Sequence, residues 1–331
     1  MKIDRVGIVG GGAWGTALAQ SLRRAGRDVL LWAREPEVVA SINEKHVNEP
    51  FLPGVALDPA IRATAKLSDV TRGDALLMVA PAQHVRAVSE QLKPHLRSGQ
   101  PIVLCAKGIE QASGRLMGDV LGEILPEAPR AVLSGPSFAA DVVRGLPTAL
   151  TIACASEPMG RTLAERLGNR NLRLYWTSDL VGVELGGALK NVLAIAAGIV
   201  DGKGLGASAH AALVTRGFSE LRRFGEALGA RPETLIGLSG LGDLILTCGS
   251  PQSRNMSLGR ALGQGQTLAQ ALGGRTAVTE GVYTAVAGRR SAAEKSIEMP
   301  ICSAVCDIVE GRLSVADAIG QLMQRPLKHE D

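Results

Sequence analysis

Arg5-Val-Gly-Ile-Val9-Gly10-Gly-Gly12-Ala-Trp-Gly15 is the stretch whose reading decides the fold. Its first five residues form a short apolar strand. The run Thr16 to Ala25 has helix-forming composition, and Asp28 to Trp32 predicts a second strand. Strand, Gly-x-Gly-x-x-Gly, helix, strand is the order in which this glycine pattern acquires physical meaning. Gly10 permits a tight turn, Gly12 lets backbone approach a pyrophosphate, and Gly15 lets the helix pack close to the strand. Phosphates then sit on free N–H groups at the helix N-terminus, where the dipole favours negative charge. The stretch therefore predicts a dinucleotide site. After the second strand stands Arg34, where an acid for the ribose hydroxyls is usual with NAD. A guanidinium there pairs with a 2′-phosphate, which favours NADP(H), while the adjacent Glu35 leaves NAD(H) open.

Composition narrows the remaining classes. The 331 residues are enough for two domains, each with its own core. Apolar residues make up 46% and charged ones only 21%, which describes a compact soluble protein. The net charge of +4 is small for this size, and only 3% of residues are aromatic. That argues against a nucleic-acid surface and leaves room for a local basic pocket. Five cysteines, at 105, 154, 248, 302 and 306, form no C-x-x-C pair, so reduced thiols in a cytoplasmic protein without structural zinc are expected. Cys302 and Cys306, one turn apart on an apolar face, read as core. The five histidines share no spacing, so no metal site is expected. The first apolar run is the glycine-loop strand itself, which predicts no signal peptide. A later run, Leu180 to Val200, is broken by Glu184, Lys190 and Asn191, so no membrane insertion is expected either.

An alternating plan runs to about residue 178. Apolar strands are predicted at Ala75–Ala80, Ile102–Ala106, Ala131–Ser134, Ala149–Cys154 and Leu172–Trp176. Helical segments such as His84–Leu92, Leu116–Leu125 and Pro158–Leu167 separate them. Short buried strands alternating with helices imply a parallel, doubly wound sheet with its ligand at the carboxyl ends of the strands. Beyond 178 almost no strand signal remains. Helical runs occupy 179–200, 207–229, 232–247, 256–263, 267–273, 280–294, 300–310 and 314–324. The expectation is an α/β Rossmann-type dinucleotide-binding domain over 1–178, an all-helical substrate domain over 179–325, and a frayed C-terminus over 326–331.

Polar residues in apolar surroundings carry the chemistry. The helix from Asp179 to Val200 is apolar almost all round and must be buried. Glu184 and Asn191, two turns apart, lie on nearly one face, with Lys190 about 100° round from Asn191. A lysine buried there resists charging, which lowers its pKa toward the range useful for acid–base work. Only nine of the 36 basic residues are lysine, which makes this one more conspicuous. A lysine snorkelling to the surface is the competing reading. Lys107 follows a central strand and precedes Gly108, which puts it at the ligand crevice. Two ammonium groups converging on one pocket would depress each other's pKa and bind an anion. The loop Ser134-Gly-Pro-Ser137-Phe-Ala139 ends the next strand on that edge and suits a polar ligand, or is a plain turn. Asp243, in Gly240-Leu-Gly-Asp243, lies in an apolar run and needs a partner, a lysine being the natural one. Ser253-Arg254-Asn255 opens a helix with a hydroxyl, a guanidinium, an amide and free backbone donors, which makes a phosphate cradle or a simple N-cap. Val278-Thr-Glu280-Gly281 reads as a helix start.

With these residues laid out, the chain resembles the bacterial type of NAD(P)-dependent glycerol-3-phosphate dehydrogenase from about residue 5 to 325. The resemblance rests on Gly10–Gly15 with Thr16-Ala-Leu-Ala19, Lys107-Gly-Ile-Glu110, Gly135-Pro-Ser-Phe-Ala139 and Glu184-Leu-Gly-Gly-Ala-Leu-Lys-Asn191. Thr215-Arg-Gly217, Gly240-Leu-Gly-Asp243 with Thr247, Ser253-Arg-Asn255 and Val278-Thr-Glu-Gly281 extend it. It implies interconversion of sn-glycerol 3-phosphate and dihydroxyacetone phosphate for glycerophospholipid synthesis, in a cytoplasmic homodimer. Lys190 would be the proton acceptor, held by Asp243 and Asn191, and Lys107 would contact both substrate and cofactor. Gly135, Ser137, Asp243, Ser253, Arg254 and Asn255 would hold the substrate. Ala13, Trp14, Arg34, Phe51, Lys107, Ala139, Arg254, Val278 and Glu280 would line the cofactor. Two departures stand out: Gly206-Ala-Ser-Ala209, where the family is expected to carry Asp-Asn after the glycine, and Phe51, where a polar side chain is common. Two other readings stay open here, a hydroxyacid dehydrogenase of the 6-phosphogluconate or β-hydroxyacid type and a non-catalytic NADP-binding regulator.

Overall fold

Buried β-branched and leucine-rich runs pair into a single eight-stranded sheet. The structure is a computed structural model, and it describes residues 2–273 and 279–326. The strands are β1 (Arg5–Val9), β2 (Asp28–Trp32), β3 (Arg62–Thr64), β4 (Ala75–Met78), β5 (Ile102–Leu104), β6 (Arg130–Ser134), β7 (Thr148–Cys154) and β8 (Leu172–Thr177). Their order is β3-β2-β1-β4-β5-β6-β7-β8. The order reverses between β1 and β4, so a crevice opens there at the carboxyl ends of the strands. Helix α1 (Ala13–Arg24) crosses from β1 to β2, and α2 (Met117–Ile124) precedes β6.

The sheet departs from the expected parallel plan at one pairing. β7 runs antiparallel to β6, with Ala131 opposite Cys154. Between them lies only the six-residue helix Ala139–Arg144, which climbs about 9 Å at 1.5 Å per residue. That is too short to carry the chain back to the start of β6, so β7 returns in the opposite direction. The three-residue β3 escaped the sequence reading because it is too short to show periodicity.

After Thr177 the described residues form helices and turns. The longest helix, α3 (Leu180–Gly202), is buried from Gly182 through Val200. Its most apolar stretch would be long enough to cross a membrane, yet it lies wholly inside the protein. Asp179 caps it, accepting the Gly182 N–H at 2.8 Å. Around it pack α4 (Asp243–Gly249), α5 (Arg254–Gly263) and α6 (Glu280–Glu294). The α3–α5 crossing is close because it is made of glycines: a Cβ on Gly259 would stand 2.0 Å from the Ile195 carbonyl oxygen.

The helix expected over 232–247 is broken. Pro232–Leu235 is followed by a wide π-helical turn, Leu238–Gly242, and α4 starts only at Asp243. The chain folds so tightly that a Cβ on Gly240 would meet the Leu235 carbonyl oxygen at 1.9 Å. This break aims the first residue of α4 at α3. Of the tail expected to fray, residues 327–331 lie outside the described residues.

Candidate active site

The glycine loop leaves β1 with Gly10 at φ +130°, a conformation that only glycine adopts without strain. A Cβ on Gly15 would lie 2.0 Å from the Gly10 carbonyl oxygen, so the start of α1 is pressed onto the loop. A Cβ on Gly12, by contrast, would meet nothing within 4 Å. No packing inside the chain demands glycine at 12, which is what a surface kept bare for a ligand's phosphates requires. No side chain caps α1 and no acid stands in its first turn, so its N-terminal amides face outward unneutralised. A residue missed from sequence braces the loop. Asn48, fully buried, donates from Nδ2 to the Gly11 carbonyl at 2.8 Å and to Thr16 Oγ1 at 2.7 Å. It lies 32 residues from Thr16, and no local signal marks it.

Around this loop, Ala13, Trp14, Phe51 and Ala139 are partly buried and pack on the apolar core beneath the sheet. The Trp14 indole N–H is buried without a partner. Glu280, first residue of α6, accepts the Ala82 N–H on Oε1 at 3.0 Å, while its Oε2 is buried and unpaired. Burial raises the Glu280 carboxyl's pKa, against pulls from the Ala82 N–H and Arg254. An unpaired indole N–H at an open glycine loop fits a dinucleotide. Arg34 is 76% exposed and pairs with Glu35 at 3.1 Å. Val278 lies outside the described residues.

Three ionisable side chains converge where the sheet meets the helices. Asp243 is 1% exposed. Its Oδ2 lies 2.6 Å from Lys107 Nζ and its Oδ1 3.0 Å from Lys190 Nζ. Lys107 Nζ also donates to the Gly135 carbonyl at 3.1 Å, and Ser137 Oγ donates to that same carbonyl at 3.3 Å. The expected set Lys107, Gly135, Ser137, Lys190 and Asp243 is therefore brought together. Burial brings the Lys190 ammonium down to about 8; Asp243 holds it up against that fall, and Lys107 pushes it lower still. Two cations share one carboxylate, so the cluster carries an excess positive charge for an anion.

One expected contact is replaced. The partners of the Lys190 ammonium are Asp243 and the Thr247 hydroxyl at 2.8 Å, rather than Asn191. Thr247 in turn donates to Asp243 Oδ1 at 3.2 Å. The i, i+4 spacing of Asp243 and Thr247 was the available signal for this contact. Asn191 instead ties elements together. Its Nδ2 donates to the Lys107 carbonyl at 3.2 Å, and its Oδ1 accepts from Asn255 Nδ2 at 2.9 Å. Asn255 Oδ1 accepts the Gly281 N–H at 3.0 Å, which extends the chain of bonds to α6. Ser253 serves as the N-cap of α5, accepting the Met256 N–H at 3.2 Å. Arg254 beside it is exposed, and its charge reaches Glu280.

The family models for the NAD-dependent glycerol-3-phosphate dehydrogenase N-terminus and C-terminus match residues 5–159 and 179–320. Glycerol-3-phosphate dehydrogenase [NAD(P)+] of Caulobacter vibrioides is 58% identical over 330 residues, with 100% of both chains covered. That of Parvibaculum lavamentivorans is 58% identical over 98% of each chain. The crystal structure of glycerol-3-phosphate dehydrogenase from Coxiella burnetii superposes with a TM-score of 0.93 at 38% identity, covering 98% of this chain and 99% of that one.

Proposed function

The chain belongs to the NAD-dependent glycerol-3-phosphate dehydrogenase family, and from that premise we propose that it interconverts sn-glycerol 3-phosphate and dihydroxyacetone phosphate with NAD(P)H, feeding glycerophospholipid synthesis. The observation that carries this reading is the pair of lysines, Lys107 and Lys190, meeting on the buried Asp243 carboxylate, in a chain whose glycine-loop helix is left uncapped. In this reading residues 1–178 hold the cofactor, with NADP(H) favoured by Arg34, and residues 179–325 supply the substrate side.

Bound NAD(P)H supplies the hydride. Lys190, with its pKa brought down to about 8, holds a proton it can release near neutral pH. It gives that proton to the ketone oxygen as negative charge develops there, and takes it back when the alcohol is oxidised. Asp243 and Thr247 fix the ammonium, so the proton is aimed before the reaction begins. Lys107 adds positive potential at the same oxygen. Ser253, Arg254 and Asn255 hold the phosphate, which turns remote binding energy into alignment of the carbonyl, while Gly135, Ser137 and Asp243 hold the rest of the substrate. Gly10, Gly12 and Gly15 cradle the pyrophosphate, and Ala13, Trp14, Phe51, Ala139 and Glu280 line the cofactor. The cytoplasm suits five free, buried cysteines, and a homodimer, which the family likeness suggests, is checked by light scattering.

Turnover of dihydroxyacetone phosphate by the purified protein, followed through NADPH absorbance, tests the reading. Rapid reduction is expected, with unphosphorylated dihydroxyacetone a poor substrate. NADPH binding without turnover would favour a non-catalytic regulator, and preference for a hydroxyacid would favour the other dehydrogenase type.

A further inference from the structure

Glu184 has no part in the chemistry derived above, yet it is a carboxyl group buried on the same helix as Lys190. It stands two turns before Asn191, on nearly the same face. Its Oε1 accepts the Gly118 N–H at 2.6 Å. Burial pushes this carboxyl up to about 8; the Gly118 N–H and Arg130 pull it down, and Asp119 pushes it further up. Gly118 is the second residue of α2, whose N-cap position is Leu116 and has no side chain to accept a hydrogen bond. Glu184 therefore caps α2 from another element, pairing an N–H that an apolar residue at 184 would leave buried and unpaired.

The segment before α2 is the one that carries Lys107. Ile109 pairs with Leu116 across an antiparallel bridge, and the Glu110 N–H donates to the Arg115 carbonyl at 3.0 Å. Residues 107–118 are thus a closed loop that leaves the end of β5, folds back on itself and enters α2. Two polar contacts from one face of α3 hold its two ends. Asn191 holds the beginning, at the Lys107 carbonyl, and Glu184 holds the end, at the Gly118 N–H. Between them, Ile109 and Leu116 share an apolar cluster with Leu185, Leu189 and Val192 of α3.

We propose that Glu184 is a positioning residue that, together with Asn191, clamps the 107–118 loop onto α3 and so fixes the Lys107 ammonium relative to Lys190. Lys107 comes from the sheet and Lys190 from the helical half, and both must reach one carboxylate, at 2.6 and 3.0 Å. Asp243 alone cannot hold the loop, because a lysine side chain is long and flexible; fixing its backbone at both ends of the loop removes that freedom. The chemical consequence rests on the roles given to Lys107 and Lys190 above.

Three variants test the clamp. Glu184→Gln keeps an acceptor oxygen for the Gly118 N–H, and Glu184→Ala removes it. Gly118→Ala leaves α3 untouched but places a methyl group 2.8 Å from Glu184 Oε2, which pushes the carboxyl away. The two alanine variants are expected to lower kcat/KM for dihydroxyacetone phosphate roughly tenfold or more through a raised KM, with the glutamine variant within about twofold of wild type. The double variant is expected to be no worse than the poorer single one, since the methyl then occupies space the carboxyl has left. Independently of turnover, acetylation of Lys107 followed by mass spectrometry should quicken in both alanine variants and not in the glutamine variant. A cap that only stabilises α2 would lower the melting temperature of Glu184→Ala and leave KM and Lys107 labelling unchanged, which overturns the proposal. A glutamine variant as impaired as the alanine one overturns it too. If Glu184→Ala does not fold, Gly118→Ala and Glu184→Gln decide the matter. A wild-type protein that fails to reduce dihydroxyacetone phosphate would remove the functional reading, while the labelling comparison still judges the clamp.

Discussion

At the glycine loop the groups that face outward are neutral backbone amides within a few residues of one another, at the start of α1. At the lysine cluster the working groups are two ammonium side chains, from positions 107 and 190, drawn onto the one buried carboxylate of Asp243. The first arrangement needs little from the rest of the chain, because a strand, three glycines and a helix make it locally. The second exists only if a sheet, a helix and a broken turn are all in register, and its charges have been taken out of water to get there. A site of the first kind tolerates change around it. A site of the second kind concentrates both function and risk.

That contrast is sharpened most by removing the shared carboxylate. Asp243→Asn leaves two ammonium groups facing an uncharged amide, and breaking a buried pair in this way costs about 3 kcal/mol or more of stability. The Lys190 pKa should also drop further, since Asp243 is what holds it up. Denaturant melts at neutral pH measure the first effect; an unchanged midpoint would mean that the cluster is not coupled as its distances suggest.

Lys190→Ala should lower kcat by roughly two orders of magnitude or more, as for loss of a general acid–base, with NADPH affinity little changed. The pH profile carries the same idea without mutation. With Lys190 titrating at about 8, ketone reduction needs the protonated form and should fall as pH rises through about 8, while alcohol oxidation should rise through the same range. For stability the sign is also set: the folded pKa lies below the ordinary lysine value of 10.5, so the unfolded chain binds more protons between these values. Stability therefore gains from this group as pH climbs from about 8 toward 10.5. Pre-steady-state rates in both directions would expose a profile without the shared inflection.

Smaller effects are expected at the phosphate end. Arg254→Ala should forfeit a charge-assisted contact of about 1.5–3 kcal/mol, seen as a higher KM for dihydroxyacetone phosphate. Activity on unphosphorylated dihydroxyacetone should be nearly indifferent. Equal losses with both compounds would place the defect at the cofactor rather than the phosphate.

Arg34→Glu probes the glycine-loop side, and its effect is the smallest because Arg34 is 76% exposed. The ratio of kcat/KM for NADPH over NADH should fall by roughly 10- to 100-fold. The Arg34–Glu35 pair must open for the guanidinium to take a 2′-phosphate, which pulls the expectation toward the lower end. A ratio that does not move would leave Arg34 as a solvated arginine at a strand end.

Most of the fold was legible because its signals are local. β1 and β2 lie where the run of apolar residues put them, and the helices after 178 begin and end within a few residues of their expected bounds, apart from the one broken after Leu235. Hydrophobic periodicity, glycine punctuation and caps act over a few residues, so they can be read along the chain. The direction of β7 could not be read that way, because it depends on how far a six-residue helix carries the backbone in space.

For the site, sequence alone selected the residue types: a glycine loop for phosphates, scarce lysines in apolar surroundings, and a buried acid in want of a cation. It could not say which lysine meets that acid. Only the tertiary structure decided that both do, that Thr247 rather than Asn191 steadies Lys190, and that Asn48 braces a loop more than thirty residues away. The reason is physical. Propensity and burial are properties of a residue and its near neighbours, whereas a hydrogen bond between positions 107 and 243 depends on every turn and crossing in between.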